Sequence, residues 1–372
     1  LVTGVQTCAL PILIILLILI FTFPTPAQAA TVITLTNPMN RQFDGKFFDD
    51  KLASELMPSG KLGKLISELP NGYRTWQIDP ALIEEVQAMA NGYKLTNGKD
   101  GLGQTIAKDW LTRLTNVSRY DQKVAIPYGN PSGYWIHRLM PDQERIFLDA
   151  SAERLSKFYG YKISALNSFG TYKYFKLTPY QSLAITDAIS SLKNTSKFLG
   201  PVETDSFRLR STALLNENLD NHWRNLLAID LVTNTDLLNH KIRLAPGRFT
   251  ISANKQDLPI TVINGFPTSA DLILNISEMN GRIQAINKVS VKLDGKSRVQ
   301  VKIPVKVLAS GDSSLAVGIS DIKGKQLGDF VIYPISIRVI SPVATSITYI
   351  AAVVLFISAL IQSIRRIRKR ER

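Results

Sequence analysis

The sequence predicts an α/β region, then an all-β, immunoglobulin-like (Ig-like) sandwich, then one C-terminal transmembrane helix. Three observations carry this. Between Thr31 and about Ser164 short apolar runs alternate with helical stretches. From Arg248 to Ile340 strict apolar/polar alternation takes over. Finally, "VATSITYIAAVVLFISALIQSI", Val343 to Ile364, is apolar for about 33 Å as a helix, which spans a bilayer. At 372 residues, 45% of them hydrophobic, the chain has material for two or three domains.

The N-terminal residues divide into two pieces. Val2 to Ile12, "VTGVQTCALPI", resemble the in-frame translation of a common sequencing-library adapter, so residues 1–12 are expected to be an artefact. Residues 13–29 then read as a truncated signal peptide. "LIILLILIFTF" is a short apolar core ended by Pro24 and Pro26, and Ala27 and Ala29 form the A-x-A cleavage pattern. The run is short for a membrane anchor, the competing assignment. Cys8, the chain's one cysteine, falls in the adapter-like segment, so the remainder has no disulfide and no thiolate metal site.

Within residues 31–165, "TVITLTNP", "YRTWQID" and "QKVAIPY" have strand character. The second ends at Asp79-Pro80, an N-cap followed by a first-turn proline, and Leu82, Val86 and Met89 recur at helical spacing up to a C-terminal Gly92. "TIAKDWLTRLTN" is a further helix. Strand, helix, strand order favours parallel pairing, with the ends of the second and third strands on one rim. Residues 166–246 are helical and cover the sheet or link domains. "TPYQSLAITDAISSLKN" opens on a Thr178 cap and Pro179, and "NLDNHWRNLLAIDLVTN" repeats the apolar spacing.

Residues 247–340 hold around seven expected strands, among them "DLILNI", "VSVKL", "RVQVKIPVKV", "LAVGIS" and "FVIYPISIRVI". Asp294-Gly295 between two of them is a two-residue hairpin signal. After the membrane segment, residues 343–364, the tail 365–372 holds Arg365, Arg366, Arg368, Lys369, Arg370 and Arg372, which favours a cytoplasmic C-terminus. This basic run beside an apolar helix is a stop-transfer signal rather than a nucleic-acid-binding tail, so no nucleic-acid partner is expected. Removing the tail's net +5 from the total of +14 leaves +9, which attracts anionic polymers and lipids nonspecifically.

Side-chain chemistry is sparse. His137, His222 and His240 are not spaced as helical metal ligands, so no metal and no cofactor is expected. "GKDGLG", Gly98 to Gly103, lacks the Lys-Ser/Thr pair of a phosphate loop. A glycosidase needs two carboxyl groups across a cleft. Asp79 is the best single candidate and Asp49 or Asp50 the second, set against helix capping for Asp79 and a solvated loop for the others. Trp76, Asp79, Tyr128 and Asn130 form a candidate ligand-binding rim, where Trp76 and Tyr128 either stack on a sugar ring or pack in the core.

Several blocks in order, "LTNPMNRQFDGKFFDDKLASEL", "WQIDPALIEEVQAMANGY", "AKDWLTRL", "VAIPYGNPS" and "LPITVINGFPTSADLILNI", resemble a family of uncharacterised actinobacterial single-pass membrane proteins over about residues 33–372. The resemblance implies a region similar to polysaccharide-deacetylase and glycosidase barrels, followed by the sandwich. It also implies, through genes that lie beside that of the lipid II flippase, a role in the cell envelope. Where that family often carries paired aspartates after "PYG", this chain has Asn130, Pro131 and Ser132. The resulting expectation is a type I protein of the cell membrane, noncatalytic, that binds an envelope glycan or a membrane protein of peptidoglycan assembly. A weak glycan hydrolase or deacetylase-like enzyme using Asp79 and a scaffold subunit of a membrane complex are the alternatives.

Overall fold

In the computed structural model, which describes residues 30–170, 172–338 and 342–368, the chain separates into two units. One comprises the described residues up to Ile185 plus Leu209–Asp230; the other comprises Thr186–Arg208 plus Leu231 onward. The adapter-like segment, the expected signal peptide and the last four residues of the basic tail lie outside the described residues.

The first unit is built on β1 (Thr31–Leu35), β2 (Arg74–Ile78), β3 (Gln122–Ala125) and β4 (Ser164–Ala165). All three pairings are parallel and the order is β1-β2-β3-β4. Helices fill the crossovers: α1 (Lys51–Leu56) and α2 (Lys61–Ser67), then α3 (Pro80–Ala90) and α4 (Gln104–Val117), then α5 (Gly133–Leu139) and α6 (Glu144–Tyr159). Sequential parallel strands joined by helices wind as a barrel does, and four of them make half of one. Leu35, Trp76, Ile78, Leu82, Val86 and Ala125 share its buried core.

Local chemistry explains α3 well. The Asp79 carboxylate accepts from the Ala81 N–H at 2.8 Å and Pro80 fills the first helical position. Leu82, Val86 and Met89 are buried along one face, and after Asn91 the chain leaves through Gly92 at φ +91°, a conformation that favours glycine.

Three further helices follow, α7 (Pro179–Thr195), α8 (Pro201–Ser211) and α9 (Asn221–Asn239). Thr178 and Gln181 cap the first reciprocally, each side chain accepting from the other's backbone N–H at 2.9 and 3.2 Å. The helical stretch expected over 166–246 does not stand as a body of its own. Its residues are shared between the two units, and Leu192, Phe198, Leu199 and Leu238 belong to the core of the second.

Among the described residues that second unit holds nine strands, eight of them within 247–340 against the seven or so expected there: β5 (Ile242–Leu244), β6 (Phe249–Ile251), β7 (Lys255–Asn264), β8 (Ala270–Glu278), β9 (Ile283–Ala285), β10 (Lys288–Leu293), β11 (Ser297–Val307), β12 (Gly311–Asp321) and β13 (Gln326–Ile337). They form two sheets, β10-β8-β12-β13-β6 and β5-β7-β11-β9, antiparallel except where β13 meets β6. Leu258, Ile260 and Ile303 from one sheet and Leu272, Leu274 and Val317 from the other close a single core. β6 and β9, three residues each, are too short to show an alternation, and Pro259 interrupts the pattern of β7.

One local signal misleads. Asp294-Gly295 predicts a hairpin, yet β10 pairs with β8 while β11 pairs with β7 and β9, so the turn carries the chain from one sheet to the other. Gly295 is needed there for space: a Cβ on it would lie 2.0 Å from the Pro267 carbonyl oxygen. Lys296, at φ +50°, completes the corner.

The last element, α10 (Pro342–Arg368), is a single 27-residue helix. Ile347, Ile350, Val354, Leu355 and Phe356 are exposed along it. Among the described residues no helix is long and apolar enough to cross a membrane; on α10, side chains 342–346, 364 and 366–368 lie outside the described ones.

Gly295→Ala is expected to lower the stability of the sandwich by about 1–3 kcal/mol, because the backbone of residue 267 must move. Gly281→Ala, at a site with nothing within 4 Å, is the matched control. Equal denaturant midpoints for the two variants would contradict the corner assigned here.

Candidate ligand-binding site

The carboxyl ends of β1, β2 and β3 meet at Asp79, as the parallel order requires. Its Oδ1 accepts from the Ala81 N–H at 2.8 Å and from the Gly129 N–H at 2.9 Å, and the Thr36 hydroxyl reaches Oδ2 at 3.2 Å. Backbone bonds run alongside, from Asp79 N to Leu35 O and from Ile126 N to Ile78 O. The residue is 0% exposed. Burial pushes its carboxyl up to about 7, against the opposing pull of these hydrogen bonds and with help from the nearby Glu84 charge.

Glu85, on the next helical turn, is buried too. Its Oε1 accepts from the Asn40 N–H at 2.8 Å while Oε2 has no hydrogen-bond partner. Burial raises it to about 7, opposed by the Asn40 hydrogen bond and by the positive charges of Arg210 and Arg41. Glu84 instead anchors neighbouring elements, accepting from the Tyr128 hydroxyl and from Arg154 Nη1, both at 2.8 Å.

Three side chains of the expected rim, Trp76, Asp79 and Tyr128, are buried. Trp76 is 0% exposed and its indole N–H donates to Asp121 at 2.8 Å, so its ring packs in the core and cannot stack on a sugar. Tyr128 is 4% exposed and its hydroxyl is committed to Glu84. Asn130 takes φ +44° in a turn that Asn tolerates, after Gly129 at +72°. That turn is fastened by Ser132 N to Leu215 O at 2.8 Å and by the Asn216 amide to Gly129 O at 2.8 Å.

Asp50 is likewise structural. It accepts from the Tyr93 hydroxyl and from the Leu102 N–H, closing the 93–103 loop onto the start of α1. Burial and the bond to Asp50 raise the Tyr93 hydroxyl well above its ordinary value.

Asp49 lines a cavity. This space, ≈ 200 Å³, sits beside the loop that leaves β1 and is bounded by Asn37, Asn40, Asp49, Lys51, Asp220 and Trp223, among others. Asp49 Oδ1 accepts from the Asn40 amide at 2.7 Å and from Lys51 N at 3.1 Å, which fixes the carboxylate at the wall. Trp223, part-exposed, is held by Phe48 with ring centroids 5.2 Å apart, and Lys51 Nζ lies 5.2 Å from its ring centre. Trp223 is the residue the sequence reading passed over. Its signal was weak: an aromatic beside His222 at the start of an amphipathic helix. Among the described residues no three His, Cys, Asp or Glu side chains converge on a metal position.

Because Asp79 and Glu85 hold a proton in the folded chain up to about pH 7 while the unfolded chain releases it near pH 4, stability falls as pH rises across that window. Asp79→Asn keeps the acceptor oxygen and removes one titration, so the fall from pH 4.5 to 7.5, on the order of a few kcal/mol per carboxyl, becomes shallower. Urea midpoints at the two pH values check this; a stability that climbs with pH in both proteins contradicts it.

Comparison with known proteins adds a family and little else. Native alpha-2-macroglobulin of Escherichia coli is similar at 22% identity over 26% of this chain and 6% of its own, with a TM-score of 0.22. A Caenorhabditis elegans MSP family member, WR4, is similar at 12% identity over 26% of this chain and 98% of its own, TM-score 0.21. The E. coli chaperone DraB is similar at 11% identity over 26% of this chain and 55% of its own, TM-score 0.21. The chain spans only 6% and 7% of the length of the two alpha-2-macroglobulin structures it first matches. No curated protein matches. Residues 184–370, half of the chain, match a family of unknown function, and the protein therefore belongs to that family, DUF6049.

Proposed function

We propose that this protein is a noncatalytic, membrane-anchored receptor of the cell envelope that binds a glycan in the cavity beside β1. The observation that carries the reading is the cavity's make-up. A part-exposed indole, Trp223, stands beside planar hydrogen-bonding side chains, Asn37, Asn40 and Asp49. A sugar ring asks for this pairing: its C–H face stacks on an aromatic ring and its hydroxyl groups need in-plane acceptors and donors. The wall is pre-positioned, since Asp49 and Asn40 are bonded to each other.

Anchoring rests on α10 and the basic run that follows it. Exposed Ile, Val, Leu and Phe side chains along the helix, with six basic residues from Arg365 onward, suit a bilayer span with a cytoplasmic tail. A secreted, signal-bearing N-terminus completes the type I topology, and a place in peptidoglycan assembly fits such a receptor. The rival, a hydrolase using Asp79, is disfavoured because that carboxylate is fully buried and spent on three hydrogen bonds.

Full-length protein in detergent, tested by cosedimentation with isolated cell walls across a salt series, distinguishes these readings. Trp223→Ala is expected to weaken salt-resistant binding roughly tenfold or more, and Asp79→Asn to leave it unchanged with no turnover in either protein. Binding that ignores Trp223, or glycan hydrolysis that disappears with Asp79→Asn, overturns the proposal.

A further inference from the structure

The outward face of the β5-β7-β11-β9 sheet carries a charge pattern that the fold does not explain. Register places Lys306 directly opposite Lys255, Lys302 opposite Pro259, and Arg298 and Arg243 on either side of Ile263. All of these cations are exposed, while the alternate residues Leu258, Ile260, Ile303 and Val305 face the core. Asp257 is the one carboxylate in these rows, and it faces Pro304. Among the described residues none of Arg243, Lys255, Arg298, Lys302 and Lys306 lies in an ion pair.

Like charges placed directly opposite each other across a sheet destabilise it. An acidic residue at 255 or 306 would relieve the pair at no steric cost, so stability alone does not account for the pattern. Gln284 on β9 adjoins Lys306, and these residues with Lys255 border a groove of ≈ 560 Å³ at the sheet's edge. Thr261 and Gln300 stand between the cations in the middle rows, so the face offers hydrogen-bond donors beside positive charge.

We propose that this face docks onto a bilayer surface containing anionic phospholipid. The proposal rests on α10 being the membrane anchor. β13 ends at Ile337 and α10 begins at Pro342, so the connection reaches no more than about 18 Å. A tether that short holds the sandwich near the headgroups at high effective concentration, where the attraction of clustered Lys and Arg to anionic lipid acts within a Debye length of about 8 Å. Phosphate oxygens supply the counter-charge that the sheet itself lacks. A dissolved anionic polymer has the same charge but no tether to keep it at this face.

The test uses the full chain with Cys8→Ser and a nitroxide at Gln300→Cys, in nanodiscs of phosphatidylcholine with or without phosphatidylglycerol. A nitroxide at Ser290→Cys, on the other sheet, serves as control. Collisional access of a water-soluble relaxation agent to position 300 is expected to fall only with phosphatidylglycerol, to recover in high salt, and to stay unchanged at position 290. In the triple variant Arg298→Gln, Lys302→Gln, Lys306→Gln, partitioning of the face to the surface drops on the order of a hundredfold. Equal access with and without the anionic lipid overturns the proposal while leaving the anchor intact. Failure of the chain to enter nanodiscs of either composition contradicts the anchor and this proposal together. Shielding reproduced by soluble polyphosphate in nanodiscs without anionic lipid assigns the face to a dissolved polyanion and likewise overturns it.

Discussion

One carboxylate holds the α/β unit in register. Asp79 sits where three strands end, and it binds a hydroxyl beyond β1, the first turn of α3 and the turn beyond β3 at once. Parallel strands make no direct turns with each other, so their ends need a common fastener. A buried acceptor with three donors is a strong one, and its removal would strand the Gly129 and Ala81 N–H groups without a partner. At the opposite end of β2 a second carboxylate does related work under different electrostatics. Asp121 accepts from Trp76 and from Arg74, and although burial opposes it, these hydrogen bonds and the Arg74 charge hold it below the usual carboxylate range. The two acids bracket the central strand, one proton-retaining and one firmly ionised.

This arrangement separates scaffold from site. The groups whose chemistry looks most catalytic on paper, Asp79 and Tyr128, are consumed in holding the strand ends. The loop that leaves β1 is thereby positioned, through Asn40 bonded to Glu85 below and to Asp49 beside it, and a cavity opens there. The end of a strand in a parallel sheet is where ligands usually bind, and here the usable end belongs to β1.

Much of this was legible in the sequence where the signal was local. Asp79-Pro80, the Leu82, Val86, Met89 spacing and Gly92 fix α3, with Asp79 as its N-cap. Thr178-Pro179 fixes the start of α7. Apart from strands too short to show a pattern, the failures involve partners distant in sequence. Trp76 read as a rim aromatic because nothing local says that Asp121 receives its N–H. Asp294-Gly295 has hairpin composition, yet Pro267 packs over it and the strands on either side go to different sheets. Trp223 joins Asp49 only through folding, with well over a hundred residues between them. In the sandwich, alternation identifies the long strands other than β7, while the pairing of Lys306 with Lys255 needs the register itself.

The central claim is that Asp79 is a structural fastener and not a free acid. Amide hydrogen exchange, resolved at Ala81 and Gly129 in the native chain and in Asp79→Ala, addresses it most directly. The account predicts slow exchange at both amides in the native protein and selective loss of protection there in the variant, spreading to the 36–40 loop. Unchanged protection at Gly129 in the variant would mean that the carboxylate is not bonded as described and is available for chemistry, contradicting the account.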